Sequence, residues 1–84
     1  MKYRHLRKVV GSNIKFYRFK AGYTQEQLAE KVELSPRYIS DIENAKGNIS
    51  LDTIELISKA LKISPIILFK DVNISLPKRV NMRK

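Results

Sequence analysis

The sequence contains no cysteine and only one histidine, His5. Without cysteine a disulfide framework is impossible, and a zinc site built from the usual cysteine and histidine ligands is excluded as well. We therefore expect no metal and no cofactor. The 84 residues, of which 43% are hydrophobic, suffice for one modest core, so the domain has to be stabilised by packing.

Long apolar runs are also missing. The longest is residues 66–69, whereas a membrane-spanning helix needs about 20 apolar residues. The first ten residues, MKYRHLRKVV, lack the apolar stretch of a secretory signal peptide, and we expect a soluble protein of the cytoplasm. With its one histidine near one end, the chain offers no set of nucleophile, base and orienting group, so the sequence predicts a protein that is not an enzyme.

Acidic residues are absent from both ends of the chain. Residues 1–22 carry seven lysines or arginines and residues 72–84 carry four, whereas residues 23–71 carry six against eight acidic residues. The formal net charge is +9 and the pI is near 10.1. Lysine and arginine gain affinity for nucleic acids by releasing the counterions around phosphates, so this balance favours a nucleic-acid partner. A solvated basic surface is the alternative.

The pattern of apolar residues predicts short helices. The first is expected over residues 6–21, and Gly22 follows it, where a helix end commonly adopts the left-handed conformation. Its apolar residues recur at spacings of three and four: Leu6, Val10, Ile14, Tyr17 and Ala21. This spacing is typical of an amphipathic helix with one buried side.

Hydroxyl residues mark the starts of the next two helices. Thr24 and Gln27 form a capping box, in which each side chain accepts the backbone N–H of the other residue. Ser35 followed by Pro36 is a second start signal, because proline is well accommodated at the first helical position. The inward-facing residues expected on helix 2 are Leu28, Ala29 and Val32. Helix 3 is expected over residues 36–44.

Two further segments complete the expected fold class. Ser50 precedes apolar residues at helical spacing, and Ser64 with Pro65 opens a last short helical segment over residues 66–69. The residues expected on the inner side of helix 4 are Leu51, Ile54, Ile57 and Leu61. The sequence therefore predicts an all-α fold of five helices, with one domain over residues 1–70.

Helices 2 and 3 are separated by only residues 33–35, so the chain must turn sharply, as in a helix-turn-helix motif over about residues 25–44. One side of helix 3 carries Tyr38, Ile39 and Ile42, and the outward side carries Pro36, Arg37, Ser40, Asp41 and Asn44. Arginine, asparagine, serine and aspartate read base edges, so the outward side has the chemistry of a recognition surface. The alternative is the polar solvent face of an ordinary surface helix.

From about residue 11 to residue 69 the sequence resembles the Cro and phage-repressor type of helix-turn-helix, the XRE family. The resemblance is carried by IKFYRFKAGYTQEQLAEKVELSPRYISDIEN and by LDTIELISKALKIS. It implies a compact five-helix bundle of the lambda-repressor-like type with helix 3 in the DNA major groove. It also implies a transcriptional regulator, typically a repressor, that binds a palindromic double-stranded DNA operator as a homodimer.

The same resemblance implies which residues meet DNA. The expected DNA-binding residues are Thr24, Gln25, Ser35, Pro36, Arg37, Tyr38, Ser40, Asp41, Asn44, Lys46 and Asn48. Arg37 would be the main base reader and Ser40 and Asp41 subsidiary ones, while Tyr38 would pack along the backbone or a thymine methyl group. Gln25 would contact a phosphate at the start of helix 2.

Two expectations concern the scaffold behind helix 3. The family often pairs an arginine of helix 1 with a late glutamate of helix 3, and Arg18 and Glu43 stand at the matching places, so we expect a structural ion pair. The family commonly has glycine where this chain has Ala45. Because alanine resists the left-handed conformation, we expect Gly47 to provide the turn instead.

Some apolar residues exceed what one small core absorbs. These are Leu56, Ile63, Ile66, Ile67 and Phe69, and we expect them to form a homodimer interface through the last helix. Residues 71–84 form a basic tail that is expected to be disordered or to add a short strand over residues 72–76. Its cations, Lys78, Arg79, Arg83 and Lys84, would stay mobile or reach phosphate.

Three alternatives remain open at this stage. Some members of the XRE family are antitoxins, which bind a toxin protein and their own operator. The stretch GNISLDTIELISKALKISPIILF also resembles the controller proteins of restriction-modification systems, which regulate their own operon. Binding to a membrane surface through the basic first helix is the third, although Val9, Val10 and Ile14 are better explained as core residues.

Overall fold

The computed structural model describes residues 4–71, and over that range the chain is all-helical. The elements are α1 (Arg4–Ala21), α2 (Gln25–Val32), α3 (Pro36–Glu43), α4 (Leu51–Leu61) and a final 3-10 helix, η1 (Pro65–Phe69). The all-α class is confirmed, but the count of five α-helices is not, because the fifth element is a short 3-10 turn. The tail that was expected to be disordered or a strand, residues 72–84, lies outside the described residues.

The predicted capping signals open the helices. The Thr24 hydroxyl accepts the N–H of Gln27 at 3.0 Å, and the Gln27 side chain accepts the N–H of Thr24 at 2.9 Å. Ser35 accepts the N–H of Tyr38 at 3.0 Å and Ser50 accepts that of Thr53 at 3.0 Å. Each bond satisfies one of the donors that a helix start leaves unpaired, which is why these helices begin where they do.

Each α-helix is followed within two residues by a residue in the left-handed region, and only after α1 is the first such residue a glycine. Gly22 has a φ of 82°, as predicted, whereas Glu33, Ala45 and Lys62 have φ values of 58°, 62° and 60°. The expectation that Ala45 would avoid this conformation was therefore wrong, although Gly47 also adopts it, as expected, with a φ of 82°. The N–H groups of Ala45 and Lys46 bond to the carbonyls of Ile42 and Asp41, and these two bonds offset the roughly 1–2 kcal/mol that the left-handed conformation costs alanine.

The core lies where the four α-helices and η1 meet. Its buried residues are Val10, Ile14, Leu28, Ala29, Val32, Ile39, Ile42, Ile54, Ile57, Leu61 and Leu68. Leu51 was expected inside, yet it is 73% exposed, and Leu6 is 53% exposed. Leu51 is the first residue of α4, so the apolar side of that helix extends past the rim of the small bundle and ends in solvent.

Helix α1 holds the other elements together. A Cβ atom placed on Gly11 would lie 2.3 Å from the carbonyl oxygen of Ile42, so only glycine allows α1 to approach the end of α3 this closely. Further along, the Asn13 side-chain amide donates to the carbonyls of Leu68 and Lys70, each at 2.8 Å. One helix therefore positions both α3 and η1.

Candidate nucleic-acid interface

Helices α2 and α3 form the helix-turn-helix. The turn begins at Glu33, whose left-handed backbone reverses the chain, and the N–H of Leu34 bonds back to the carbonyl of Ala29 at 2.9 Å. Ser35 then starts α3 as its N-cap. With residues 33–35 fixed by these bonds, the angle between the two helices is set locally, and α3 has one side on the core and one side outward.

The outward side of α3 carries the residues expected to read DNA. Pro36, Arg37 and Asn44 are exposed, and Ser40 and Asp41 are half-buried, while Ile39 and Ile42 on the opposite side are buried. This separation confirms the predicted orientation of the helix. A polar, outward-facing row of this kind is the surface that a helix presents to base edges.

Arg37 and Asp41 form a loose pair along the outward side. Arg37 Nε lies 3.5 Å from Asp41 Oδ1, and the Arg37 side chain is 85% exposed. An exposed pair one helical turn apart contributes little stability, so Arg37 can exchange Asp41 for another acceptor at little cost in free energy. The pair places the positive charge of Arg37 next to the Asp41 carboxylate and so partly neutralises it.

Asn44 is engaged with its own helix. Its Nδ2 donates to the carbonyl of Ser40 at 2.9 Å and lies 3.4 Å from the Ser40 hydroxyl. The bond is exposed and closes the last turn of α3. Neither contact uses the side-chain oxygen of Asn44, so an acceptor remains for contact with a base while the bond to Ser40 is kept.

A buried network lies behind the start of α2. Arg18 Nε donates to Glu43 Oε2 at 2.6 Å, and a terminal nitrogen of Arg18 donates to Glu43 Oε1 at 3.0 Å. The other terminal nitrogen donates to the carbonyl of Tyr23 at 2.8 Å. The two charged side chains are 6% and 1% exposed. The ion pair expected from the family resemblance is thus present in the structure and ties α1 to the end of α3.

Gln25 joins this network, which sequence reasoning did not foresee. Its Nε2 donates to Glu43 Oε1 at 3.0 Å, so the side chain expected to meet a phosphate is oriented by a buried carboxylate. A primary amide has two N–H groups, and one remains for a further acceptor. Because Gln25 and Glu43 are 18 residues apart, no local pattern in the sequence could have predicted the contact.

The loop between α3 and α4 is fixed from two directions. Arg7 donates to the side-chain oxygen of Asn48 at 2.6 Å, and the Tyr38 hydroxyl lies 3.4 Å from the Asn48 carbonyl. Asn48 and Lys46 are exposed, and Tyr38 is half-buried. Arg7 was not among the predicted site residues. It lies 41 residues from Asn48 in the sequence, and nothing in the local sequence distinguishes it from the other basic residues of the first helix.

A second surface lies on α4 and η1. Leu56 is 43% exposed and Ile66 is 71% exposed, and Ile63, Ile67 and Phe69 are half-buried. Leu68 is fully buried and anchors η1 to the core. The apolar residues expected at a dimer interface therefore do remain partly open to solvent.

Two structural features bear on other classes of protein. None of the helices in the described part of the chain is both long and apolar enough to cross a membrane. Across residues 4–71 there is also no cluster of three or more acidic, histidine or cysteine residues that could hold a metal ion.

Comparisons with known proteins agree with this geometry. Residues 14–68 match the model of a family described as helix-turn-helix. Control protein C.BamHI from Bacillus amyloliquefaciens is 44% identical over 62 residues, which cover 73% of this chain and 76% of that protein.

Two solved structures have a similar fold. The restriction-modification controller protein C.AhdI from Aeromonas hydrophila matches with a TM-score of 0.72 and 32% identity, covering 75% of this chain and 96% of that one. SinR, the master regulator for biofilm formation, was solved in complex with DNA. It matches with a TM-score of 0.68 and 37% identity, covering 73% of this chain and 98% of that one.

Proposed function

Because this chain belongs to the helix-turn-helix family of DNA-binding regulators, in its XRE or phage-repressor form, we propose that it is a sequence-specific, double-stranded DNA-binding transcriptional regulator. The observation that carries the proposal is the outward side of α3, where Arg37 is exposed and its helix is anchored from behind by Arg18 and Glu43. Such a protein acts where the DNA is, so we place it in the cytoplasm and assign it no catalytic activity.

In the proposed complex α3 lies in the major groove with its N-terminal end towards the base pairs. Arg37 exchanges Asp41 for the O6 and N7 atoms of a guanine, which a guanidinium contacts with two parallel hydrogen bonds. Asp41 then accepts from a cytosine amino group, and Ser40 and Asn44 contribute further polar contacts. Pro36 contributes surface but no donor.

Backbone contacts flank the bases in this proposal. At the start of α2, the free N–H of the Gln25 amide donates to a phosphate that is also attracted by the positive end of the helix. Thr24 and Ser35 cap their helices and lie beside the same strand. Lys46 and Asn48 hold phosphates on the other side, and Tyr38 packs along the sugar-phosphate backbone.

We further propose a homodimer formed through the partly exposed apolar residues of α4 and η1. A two-fold axis there would set two copies of α3 one turn of DNA apart, about 34 Å, and would match a palindromic operator. Sedimentation equilibrium at micromolar concentration tests the assembly. A monomer in that experiment, together with unchanged DNA affinity after Ile67→Asp, would exclude the proposed interface.

Selection of bound sequences from a random duplex pool tests the function itself. The expected result is a two-fold symmetric consensus whose strongest positions include a guanine. Recovery of sequences with no common pattern would exclude sequence-specific regulation. Repeating the selection with Arg37→Ala should remove the preference at one position of each half-site.

One observation favours a narrower role. The similarity to C.BamHI extends over about three quarters of each chain, which supports a controller of a restriction-modification operon as a second candidate. Inspection of neighbouring genes for a nuclease and a methyltransferase tests it. None of the relatives described above is named as an antitoxin, and nothing in residues 4–71 favours a toxin partner over DNA.

A further inference from the structure

The outer side of α1 carries large aromatic residues that the core does not use. Phe16 is 56% exposed and Phe19 is 62% exposed, and Lys15 and Lys20 stand beside them on the same helix. We call these four residues the α1 patch. The buried side of α1 is made instead by Val10, Ile14 and Arg18, and the Phe19 ring lies at its edge, with its centre 4.6 Å from the Arg18 guanidinium carbon.

Cations cover both rings of the α1 patch. Lys15 Nζ lies 6.0 Å from the centre of the Phe19 ring, and Lys20 Nζ lies 5.8 Å from the centre of the Phe16 ring. Each pair joins residues four apart in the helix, so the two pairs interlock. Exposed contacts of this kind are weak, but they keep ammonium groups and rings on one surface, which combines positive charge with apolar area.

The α1 patch is continuous with the proposed DNA-binding residues. Phe19 lines an open groove of about 600 Å³ together with Thr24, Gln25 and Pro36, all three of which are proposed to lie at the DNA. Arg18 also lines this groove, with its charge committed to Glu43. A strand of DNA that reaches Gln25 would therefore have to pass close to the end of α1.

We propose that the α1 patch is a second DNA contact, which binds the sugar-phosphate backbone outside the base pairs read by α3. The inference rests on the proposed function, because it extends that interface. Lys15 and Lys20 would pair with successive phosphates, and the exposed face of Phe19 would pack against the apolar C–H groups of a deoxyribose. Glu26 also lines the groove and would repel a phosphate there, so the proposed contact depends on the opposite charge of Lys15 and Lys20.

Charge complementarity argues for DNA over an apolar partner. The first 22 residues contain seven basic residues and no acidic one, and the patch lies within this region. An acidic protein segment or an anionic lipid surface would meet the same charge. Neither of them, however, explains why the patch shares a groove with Gln25 and Pro36.

The test compares two duplexes that carry the same selected operator. The short duplex ends at the last base pair that α3 reads in each half-site, and the long duplex adds about one helical turn of DNA on each side. Affinities are measured over a range of salt concentrations for wild-type protein, Phe16→Ala/Phe19→Ala and Lys15→Gln/Lys20→Gln. Lys31→Gln on α2 is the control, because it removes an exposed lysine that lines neither the groove of Phe19 nor the groove beside the proposed dimer interface.

We expect the wild-type protein to bind the long duplex more tightly than the short one. The phenylalanine double variant should lose on the order of threefold to tenfold in affinity for the long duplex, because apolar area is no longer buried there. The lysine double variant should lower the salt slope on the long duplex by about one unit for each lysine. Both variants should bind the short duplex as the wild-type protein does.

Equal losses on both duplexes, or no loss on either, would overturn the proposal. In the second case, binding of the wild-type protein to vesicles of mixed phosphatidylcholine and phosphatidylglycerol, lost in the phenylalanine variant, would assign the α1 patch to a lipid surface instead. Unchanged thermal unfolding of both variants verifies that folding is intact. If the proposed function itself were wrong, the wild-type protein would select no operator from the random pool. That outcome is different from the failure of the α1 patch proposal, in which an operator is still selected.

Discussion

The two ends of α3 are held in opposite ways. At the C-terminal end, Glu43 is buried in a network with Arg18 and Gln25, and Gly11 brings the backbone of α1 against the carbonyl of Ile42. At the N-terminal end, Arg37 is 85% exposed and has only a loose partner in Asp41. The helix is therefore rigidly placed by one end and chemically open at the other.

This difference separates two kinds of constraint on the sequence. Residues at the fixed end determine where α3 lies, so changing them alters stability and binding together. Residues at the open end determine what α3 contacts, so changing them alters binding alone. The following four predictions test that separation.

The largest effect is expected for Arg18→Ala. Glu43 would be left as a buried charge without its partner, which costs about 3–5 kcal/mol of the free energy of unfolding, and DNA binding should fall with it. Thermal or urea unfolding measures the loss. Arg37→Ala is the control that removes the same charge from the surface. If unfolding is unchanged while binding falls, Arg18 acts as a phosphate contact and not as part of the scaffold.

The next largest effect is expected for Gly11→Ala. Helix propensity alone predicts that this change stabilises the fold, but we expect it to destabilise the fold. Alanine stabilises the interior of a helix by about 1 kcal/mol relative to glycine. Here the added Cβ would lie 2.3 Å from a backbone oxygen that no side-chain rotation can move. We expect a net destabilisation of about 1–3 kcal/mol. Ser12→Ala, at the exposed neighbouring position, is the control, and a stabilised Gly11→Ala variant would contradict the close approach.

Arg37→Ala should weaken binding without affecting the fold. Loss of the two hydrogen bonds to a guanine costs about 1–3 kcal/mol on the selected operator and little on random DNA, while the unfolding free energy should change by less than about 0.5 kcal/mol. Fluorescence anisotropy with both kinds of duplex measures the difference. Equal losses on both would indicate that Arg37 contacts only phosphate.

The smallest effect is expected for Lys46→Gln, in the loop that follows α3. The variant should weaken specific and random DNA alike and lower the slope of log affinity against log salt by about 0.9, with no change in stability. Lys31→Gln on α2 serves as the matched loss of an exposed positive charge outside the proposed interface. A slope that stays at the wild-type value would remove Lys46 from the interface.

The sequence predicted helix starts better than helix ends. Thr24, Ser35 and Ser50 cap their helices through contacts only three residues away, so the local pattern contains all the information needed. At the helix ends, Glu33, Ala45 and Lys62 adopt the left-handed conformation, which is unfavourable for residues that carry a Cβ atom. There the packing of the next helix decides the conformation, and local preference is overridden.

The same contrast applies to the proposed site. The outward side of α3 follows from helical periodicity, because one side of that helix must face the core. The pair of Arg18 and Glu43 was expected only from the family resemblance, and the contacts of Gln25 with Glu43 and of Arg7 with Asn48 were not expected at all. These contacts join residues 18 to 41 positions apart, so they depend on the assembled fold.

The Asn13 amide has a consequence for the half-site spacing that the proposed dimer would accept. Its hydrogen bonds to the carbonyls of Leu68 and Lys70 join η1, which is part of the proposed dimer interface, to α1. The same helix packs closely against the end of α3 at Gly11. In the proposed dimer, these contacts would hold α3 and the dimer interface of each subunit in a fixed relative position. An operator lengthened by one base pair at its centre rotates one half-site by about a tenth of a turn, so we expect the proposed dimer to bind it less tightly.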